Sequence, residues 1–231
     1  MEQVLAGREV VVSGGAGALG KVVVERLLAA GATCHVPARE AQPVEGGSER
    51  LHIVGGVDLS DEAGVDRFYD AIPQLWASVH LAGGFAMAGV TETTRADFVQ
   101  QLEMNTLTAF LCCRAAVRGM RRAGHGGRIV NVAARPGLEP RRGAGMAAYT
   151  ASKAAVAALT IALAEELKGG HILVNAIAPS TLDTPANRRA MPGADASQWL
   201  APAAAAETIL HLISTANTEV SGAVLPLYAR A

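Results

Sequence analysis

Short apolar runs alternate along the chain with longer segments in which apolar residues recur at every third or fourth position. The short runs predict β-strands and the periodic segments predict helices. The predicted strands are Glu9–Ser13, Thr33–Pro37, Leu51–Val57, Ser78–Ala82, Arg128–Ala133, Ile172–Ala178 and Ala223–Leu227. Residues 1–231 are therefore predicted to form a single α/β domain, with a doubly wound parallel sheet of about seven strands and helices on both faces.

Helical periodicity is clearest in three segments. Longer helices are predicted around Asp97–Met120 and Ala147–Leu167. In the first helix, which Gly31 ends as a C-cap residue, the periodic apolar residues are Leu19, Val22, Val23, Leu27 and Ala30. Each predicted strand is thereby connected to the next by a crossover helix.

Two stretches rich in glycine, arginine and proline follow the carboxyl ends of predicted strands. They are Arg135–Gly145 and Ser180–Gln198. In open α/β sheets, ligands bind at that edge. We therefore expect residues 180–198 to form a substrate-binding lid within the one domain.

Composition and charge exclude several functions. The formal net charge is −1 and 4% of the residues are aromatic, so the chain lacks the basic surface and stacking rings of nucleic-acid binders. The longest apolar tract, Ala154–Ala164, is too short to span a membrane and contains Thr160. Since the first residues lack the pattern of a signal peptide, we expect a cytoplasmic protein that binds neither nucleic acid nor membrane.

Cysteine and histidine residues give no sign of a metal site. Cys34, Cys112 and Cys113 form neither a disulfide framework nor a C-x-x-C motif, which fits a reducing compartment. The six histidines lack metal-ligand spacing. We expect no bound metal.

A glycine-rich loop follows the first predicted strand and opens the first helix. Gly15, Gly17 and Gly20 satisfy the pattern G-x-G-x-x-G. Glycines permit a tight turn and a close approach of the backbone to a pyrophosphate, which the free N–H groups of the helix then bind. The residues predicted to bind a dinucleotide here are Gly14, Gly15, Gly17, Ala18, Leu19 and Gly20.

The end of the second predicted strand bears on which dinucleotide is bound. NAD-binding proteins usually place an acidic residue there, which holds the ribose 2′-hydroxyl. Here Ala38 is followed by Arg39, whose guanidinium suits the 2′-phosphate of NADP. Alternatively, Arg39 is a solvated residue paired with Glu40, and Glu40 holds the ribose. The sequence favours NADPH over NADH.

Two further positions follow the third and fourth predicted strands. Asp58 is placed to meet the adenine amino group. The small residues Ala82, Gly83 and Gly84 would let the backbone pass close to the adenosine ribose. Each feature is explained equally well by turn formation alone.

Tyr149 and Lys153 are candidates for the reaction chemistry. Four residues apart on a predicted helix, they share one face. A tyrosine hydroxyl titrates near 10, and a neighbouring ammonium favours its ionised form. We therefore expect Lys153 to lower the pKa of Tyr149 and make it a usable acid or base.

These motifs, in this order, resemble the short-chain dehydrogenase/reductase family over essentially the whole chain. The resemblance implies a Rossmann fold and an oxidoreductase that transfers a hydride from a nicotinamide cofactor, with Tyr149 as proton donor. It also implies that Asn105 anchors a proton-relay water and that Lys153 binds the nicotinamide ribose. Pro179, Thr181 and Thr184 would contact the cofactor, Thr184 at the carboxamide.

The catalytic serine of that family is missing. Ala134 aligns with it, and no serine occurs between Ser78 and Ser152. The run from Thr181 to Pro192 resembles the dihydropteridine reductase branch, which also lacks the serine. This favours a quinonoid dihydropteridine as substrate. The alternatives are a carbonyl reductase or alcohol dehydrogenase acting on another small molecule or an acyl-carrier substrate, and a non-catalytic NADP-binding protein.

Small residues on the helix that carries Tyr149 bear on assembly. They are Ala154, Ala155, Ala157, Ala158 and Ala162. This face could pack within the subunit, or it could let two helices from different subunits approach closely. In the family that the chain resembles, this helix commonly forms such a contact. We therefore expect a homodimer or a homotetramer.

Overall fold

The apolar runs form one parallel sheet whose central strands are buried on both faces, while the outermost strands are partly exposed. The computed structural model describes residues 3–40 and 48–230. The strands are β1 (Glu9–Ser13), β2 (Thr33–Pro37), β3 (Leu51–Val54), β4 (Leu75–His80), β5 (Gly127–Val132), β6 (Ile172–Pro179) and β7 (Val224–Leu227). Their order is β3-β2-β1-β4-β5-β6-β7, and all neighbours are parallel. The order reverses between β1 and β4, where such folds have their ligand crevice.

Helices cover both faces of the sheet. They are α1 (Ala18–Ala29), α2 (Glu62–Asp70), α3 (Arg95–Leu102), α4 (Thr108–Ala123), α5 (Arg135–Leu138), α6 (Ala147–Leu167), α7 (Pro185–Ala190) and α8 (Pro202–Ile213). α1 and α8 bury one face around Val10 and Ile209. α2, α4 and the end of α6 bury the other around Val11 and Ile129. The predicted doubly wound α/β fold is confirmed.

The fourth strand begins three residues before the predicted Ser78. The cause is Trp76, which is buried near the start of β4 and donates from Nε1 to the Ile213 carbonyl at 2.8 Å. Guanidinium groups of Arg8 and Arg128 lie 4.2 and 4.9 Å from its ring centre. These contacts come from distant parts of the chain, so the local pattern did not indicate them.

Two connections differ from the prediction. β3 ends at Val54 instead of Val57 because Gly56 turns the chain with a φ of +75°. The stretch Arg135–Gly145 contains α5 and a 3₁₀ turn over Pro140–Gly143, and is therefore largely helical. The crossover helix predicted between β2 and β3 falls partly on residues 41–47, outside the described residues.

The helical segment Ala147–Gly170 is long and apolar enough, by length and composition alone, to cross a membrane. In this fold it packs along the sheet and buries Lys153, Thr160 and Leu167. Its apolar character therefore serves packing on β5 and β6. The opposite side of the helix exposes small residues such as Ala158 and Ala162.

Candidate active site

The glycine-rich loop forms a tight cradle between β1 and α1. Gly14 has a φ of +69°, and a Cβ atom there would lie 2.7 Å from the Ala82 backbone nitrogen. A Cβ atom on Gly15 would lie 2.9 Å from the Val36 side chain, and one on Gly20 would overlap the Gly14 carbonyl. Side chains are thus sterically excluded from the floor of the loop.

The cradle leaves the start of α1 open. Gly17 is the N-cap residue, and among the described residues no side chain caps it. The first helical hydrogen bond runs from Lys21 N to the Gly17 carbonyl, so the N–H groups of Ala18, Leu19 and Gly20 have no partner within the helix. Such groups suit a pyrophosphate, and the loop therefore fits a dinucleotide.

Arg39 and Asp58 lie close together beyond the ends of β2 and β3. Both are exposed, and backbone bonds from Gly56 N and Val57 N to the carbonyls of Arg39 and Ala38 hold the two loops together. Asp58 accepts from Ser60 N at 2.9 Å and from Ser60 Oγ at 2.8 Å. These bonds, with the nearby Arg39 charge, lower the pKa of Asp58. Arg39 therefore lies exposed at the end of β2, beside the ionised carboxylate of Asp58.

Asn105 is buried against the chain that follows β4. Its Oδ1 accepts from Gly84 N and its Nδ2 donates to the Gly84 carbonyl, both at 3.0 Å. Nδ2 also lies 3.1 Å from Ser152 Oγ on α6. A Cβ atom on Gly83 would come within 2.5 Å of Asn105 Oδ1, so any side chain there would displace the Asn105 amide. The amide thus connects the end of β4 to the helix that carries Tyr149.

A π-helical turn presents Asn105. The helix predicted around Asp97–Met120 is present over Arg95–Ala123, but Glu103–Leu107 within it forms a π turn that separates α3 from α4. The wider turn displaces Asn105 from the regular helical phase and brings its amide to the backbone of Gly84. Turns of this kind occur frequently at functional sites.

Tyr149 and Lys153 lie on α6 with environments that differ from the expectation. Burial raises the pKa of Tyr149 to about 12 and lowers the pKa of Lys153 to about 8. The Lys153 ammonium donates to the Val132 carbonyl at 2.8 Å. The predicted lowering of the Tyr149 pKa is therefore not found in this arrangement, since burial dominates and the lysine is directed at the end of β5.

Ala134 follows β5 and is buried in an extended conformation before α5. Its methyl group offers no hydrogen bond. Ser152 on α6 does not replace the missing hydroxyl, because its Oγ donates to the Tyr149 carbonyl at 2.8 Å. The site therefore combines a tyrosine and a lysine without the serine of the resembled family.

The segment after β6 carries the remaining predicted cofactor contacts. Pro179 is the last residue of β6, and the Thr181 carbonyl accepts from Leu200 N at 2.8 Å. The buried Thr184 caps α7 by accepting from Asn187 N at 3.2 Å. Its hydroxyl proton remains available for donation. These residues lie at the same carboxyl edge of the sheet as Ala134.

Sequence reasoning missed two neighbours of Tyr149. The Phe85 ring packs edge-on against the Tyr149 ring with centroids 5.0 Å apart, and it is 61% exposed. Ser152 contacts both Asn105 and Tyr149. Phe85 directly follows Gly83 and Gly84, so an aromatic residue next to a predicted binding turn was the available signal.

Comparisons with known proteins give a consistent picture. A family profile described as "short chain dehydrogenase" matches residues 8–194. The "Rhamnolipids biosynthesis 3-oxoacyl-[acyl-carrier-protein] reductase" of Pseudomonas aeruginosa is 30% identical over 245 aligned positions, which cover 96% of this chain and 95% of the relative. "Carbonyl reductase family member 4" of Danio rerio is 30% identical over an alignment that covers 77% of this chain and 76% of the relative.

Solved structures share the fold. "ElxO with NADP Bound" has a TM-score of 0.86 at 23% identity and covers 95% of this chain and 96% of its own. An oxidoreductase of the short chain dehydrogenase/reductase family from Burkholderia thailandensis has a TM-score of 0.85 at 27% identity, with coverages of 95% and 90%. The arrangement of strands and helices is thus shared almost over its whole length.

Proposed function

Because the chain belongs to the short-chain dehydrogenase family, an oxidoreductase family that uses NAD(P), we propose that it is an NADPH-dependent reductase with Tyr149 as its proton donor. The observation that carries this proposal is the convergence of three side chains at one edge of the sheet. Asn105 binds the chain after β4, Lys153 binds the last residue of β5, and Ser152 joins Asn105 to the Tyr149 backbone.

The cradle supports NADPH as the cofactor. When bound, NADPH supplies the hydride. Gly14, Gly15, Gly17 and the first N–H groups of α1 would hold its pyrophosphate, since side chains are excluded there. We assign Arg39 to the 2′-phosphate and Asp58 to the adenine. Further contacts are assigned to Ala82, Gly83, Gly84, Pro179, Thr181 and Thr184.

Tyr149 holds the proton that the substrate receives. Its hydroxyl is protonated at neutral pH, as a general acid must be, but the pKa that burial raises to about 12 means that donation depends on stabilisation of the phenolate. The phenolate left after donation needs a cation, and Lys153 is the buried cation on the same face of α6, one turn away. Asn105 is assigned to the relay that returns a proton through Lys153.

The missing serine bears on the substrate. Reduction of an ordinary ketone develops negative charge on oxygen, and the loss of one aligned donor costs about 10²–10³ in rate. A quinonoid dihydropterin is an electron-poor, conjugated acceptor, for which one proton donor suffices. Ala134 and the exposed Phe85 ring beside Tyr149 suit such a planar substrate. We therefore favour a quinonoid dihydropteridine.

A carbonyl reductase is the second candidate. The relatives named above include a carbonyl reductase and an acyl-carrier-protein reductase, and the latter aligns with nearly the whole chain. Brisk ketone or β-ketoester reduction without pterin reduction would establish this reading. No turnover of any of these substrates, together with tight NADPH binding, would indicate a non-catalytic NADP-binding protein.

The substrate assignment is tested by restoring the hydroxyl. We expect Ala134→Ser to raise kcat/KM for simple ketones more than for quinonoid dihydropteridine, because only the ketone needs a second donor. Expressed as a free energy of activation, the gain in kcat/KM should stay below the roughly 3–4 kcal/mol that a well-aligned hydrogen-bond donor contributes. Ala134→Cys, which adds similar volume with a weak donor, is the control. An equal gain in both variants would contradict the assignment.

The cofactor assignment is tested at Arg39. We expect Arg39→Ala to raise the NADPH dissociation constant about tenfold, since a charge-assisted bond is lost, and to leave NADH binding unchanged. Fluorescence titration measures both. Glu40→Gln serves as the matched control and should change neither. If Glu40→Gln instead weakens NADH binding while Arg39→Ala has no effect, the enzyme prefers NADH.

The pH dependence follows from Lys153. Its pKa near 8 means that the ammonium is complete below that pH and is lost above it, whereas Tyr149 stays protonated until about 12. We expect the reduction rate to be level below pH 8 and to fall about tenfold per unit above it. Lys153→Arg should remove this fall, because arginine keeps its charge. A fall that persists in Lys153→Arg would refute the assignment to Lys153.

We infer a homodimer or homotetramer that assembles through α4 and α6. Small residues Ala158 and Ala162 are exposed on α6 beside Ile161, which is 54% exposed. Phe110 at the start of α4 is 42% exposed. Such apolar surface favours a second copy of the chain. We further assign a cytoplasmic location, a small-molecule substrate and a lid over residues 180–198.

A further inference from the structure

A chain of buried polar side chains runs along one face of the sheet, from α2 over β4 and β5 to α6. Hydrogen bonds of 2.7–3.0 Å join its members, none of which is more than 3% exposed. The members are Tyr69, Ser78, His80, Asn131 and Thr160. The proposed reaction uses none of them directly, so their burial calls for another explanation.

The donors and acceptors of this chain follow one direction. His80 Nδ1 donates to Asn131 Oδ1 at 2.7 Å, and Asn131 Nδ2 donates to Thr160 Oγ1 at 3.0 Å. Burial lowers the pKa of His80 to about 4, so its Nε2 is an acceptor at neutral pH. Ser78 therefore donates to Nε2 and accepts from Tyr69.

The hydrogen-bonded chain of side chains ends at Thr160 on α6, the helix that carries Tyr149 and Lys153. The Thr160 hydroxyl donates to the Val156 carbonyl at 2.8 Å, which leaves it as an acceptor toward Asn131. Asn131 directly precedes Val132, whose carbonyl accepts from Lys153. Lys153 and Thr160 are seven residues apart and lie on one helical face. Two consecutive residues of β5 thus hold α6 at two points, two turns apart.

We propose that His80 is a positioning residue, which fixes the Asn131 amide and thereby sets the position of α6 and of Lys153 against β5. The role of Lys153 itself rests on the proposed function.

His80 can act on α6 because the Asn131 amide has different groups on its two sides. Its Oδ1 accepts from His80, and its Nδ2 donates to Thr160. Without the His80 donor, the side-chain donor that remains for Oδ1 among the described residues is the weak thiol of Cys113, at 3.4 Å. If the amide then turned, its oxygen would face the Thr160 hydroxyl, whose proton is already donated to Val156. Either two acceptors would meet in a buried site or the hydroxyl would turn away from Val156 to donate, and both changes alter the contact that holds α6 against β5.

The lysines offer a direct test that needs no substrate. The polypeptide contains three lysines, Lys21, Lys153 and Lys168, and the first and last are exposed. NMR of protein labelled with ¹³C at lysine Cε therefore follows the titration of Lys153, assigned with Lys153→Arg. We expect His80→Leu and Thr160→Val each to move its midpoint upward by at least about half a unit, as water reaches the ammonium.

Two controls separate positioning from stability. His80→Asn keeps a donor at the place of Nδ1 and should retain the wild-type midpoint. Tyr69→Phe breaks the far end of the chain, so it should lower the thermal unfolding temperature without moving the midpoint. An unmoved midpoint in His80→Leu and Thr160→Val, or an equal shift in Tyr69→Phe, would overturn the proposal.

A double-mutant cycle completes the test. If both residues act through Asn131, His80→Leu combined with Thr160→Val should shift the midpoint no further than either change alone. Additive shifts would overturn the proposal. With an active enzyme, kcat should fall about tenfold in both single variants at unchanged substrate KM. If the wild type reduces no substrate, the titration still decides the role of His80, while the proposed function fails separately.

Discussion

Tyr149→Phe is expected to lower kcat by about 10³-fold or more, at the upper end of what a general acid contributes. The substitution removes the hydroxyl proton and keeps the ring, so the edge-on contact with Phe85 persists. NADPH binding should therefore change by less than about threefold. Stopped-flow oxidation of NADPH measures the rate, and fluorescence titration measures the affinity.

Tyr228→Phe is the matched control. Tyr228 lies just beyond β7, where its ring stacks with the Arg135 guanidinium at 4.5 Å. Removal of its hydroxyl should leave kcat within about twofold, because that ring stays in place. More than a tenth of the wild-type rate in Tyr149→Phe would assign proton donation to another group.

Gly14→Ala should abolish tight cofactor binding. The residue has a φ of +69°, and the added Cβ atom would lie 2.7 Å from Ala82 N and 2.8 Å from the Leu81 carbonyl carbon. Backbone atoms cannot move aside as a flexible side chain can, so the cradle must open. We expect the NADPH dissociation constant to rise at least about a hundredfold, or roughly 2.7 kcal/mol.

Gly7→Ala separates the clash from the cost of the conformation. Gly7 also has a φ of +69°, but no atom of residues 3–40 or 48–230 lies within 4 Å of its Cβ position beyond its own chain neighbours. Both variants should lose about 1–2 kcal/mol of unfolding free energy from the left-handed conformation, as measured by urea denaturation. Only Gly14→Ala should lose NADPH affinity. Similar affinities in the two variants would show that the cradle tolerates a side chain.

The architecture was accessible from the sequence because its determinants are periodic and local. Each short apolar run predicts one strand, and each segment of helical periodicity predicts one helix. Their alternation along the chain then predicts a parallel sheet. The cradle was predictable in part for the same reason, since Gly20 answers a steric demand from Gly14 and Gly15 in the same loop, whereas the demand at Gly14 comes from the distant Ala82 backbone. Strand ends were less accessible: β4 begins early because Trp76 bonds to Ile213.

The environments of the site residues were not accessible in the same way. The Tyr-x-x-x-Lys spacing places Tyr149 and Lys153 on one helical face, but it does not reveal the Val132 carbonyl that Lys153 meets. Burial, which raises the pKa of Tyr149, depends on the packing of α6. Helical periodicity also continues on both sides of Asn105, so the π turn left no local signal.

That π turn has a consequence for how such a site is acquired. A wider turn within a helix is equivalent to one added residue, which rotates everything beyond it by about 100° while both flanking segments stay helical. Here α3 packs against α6 and α4 packs against the sheet, with Asn105 at the change of phase. The scaffold can therefore gain or lose its buried amide through a single insertion or deletion. In an alignment of related chains, this chemistry would be marked by a gap as much as by a residue.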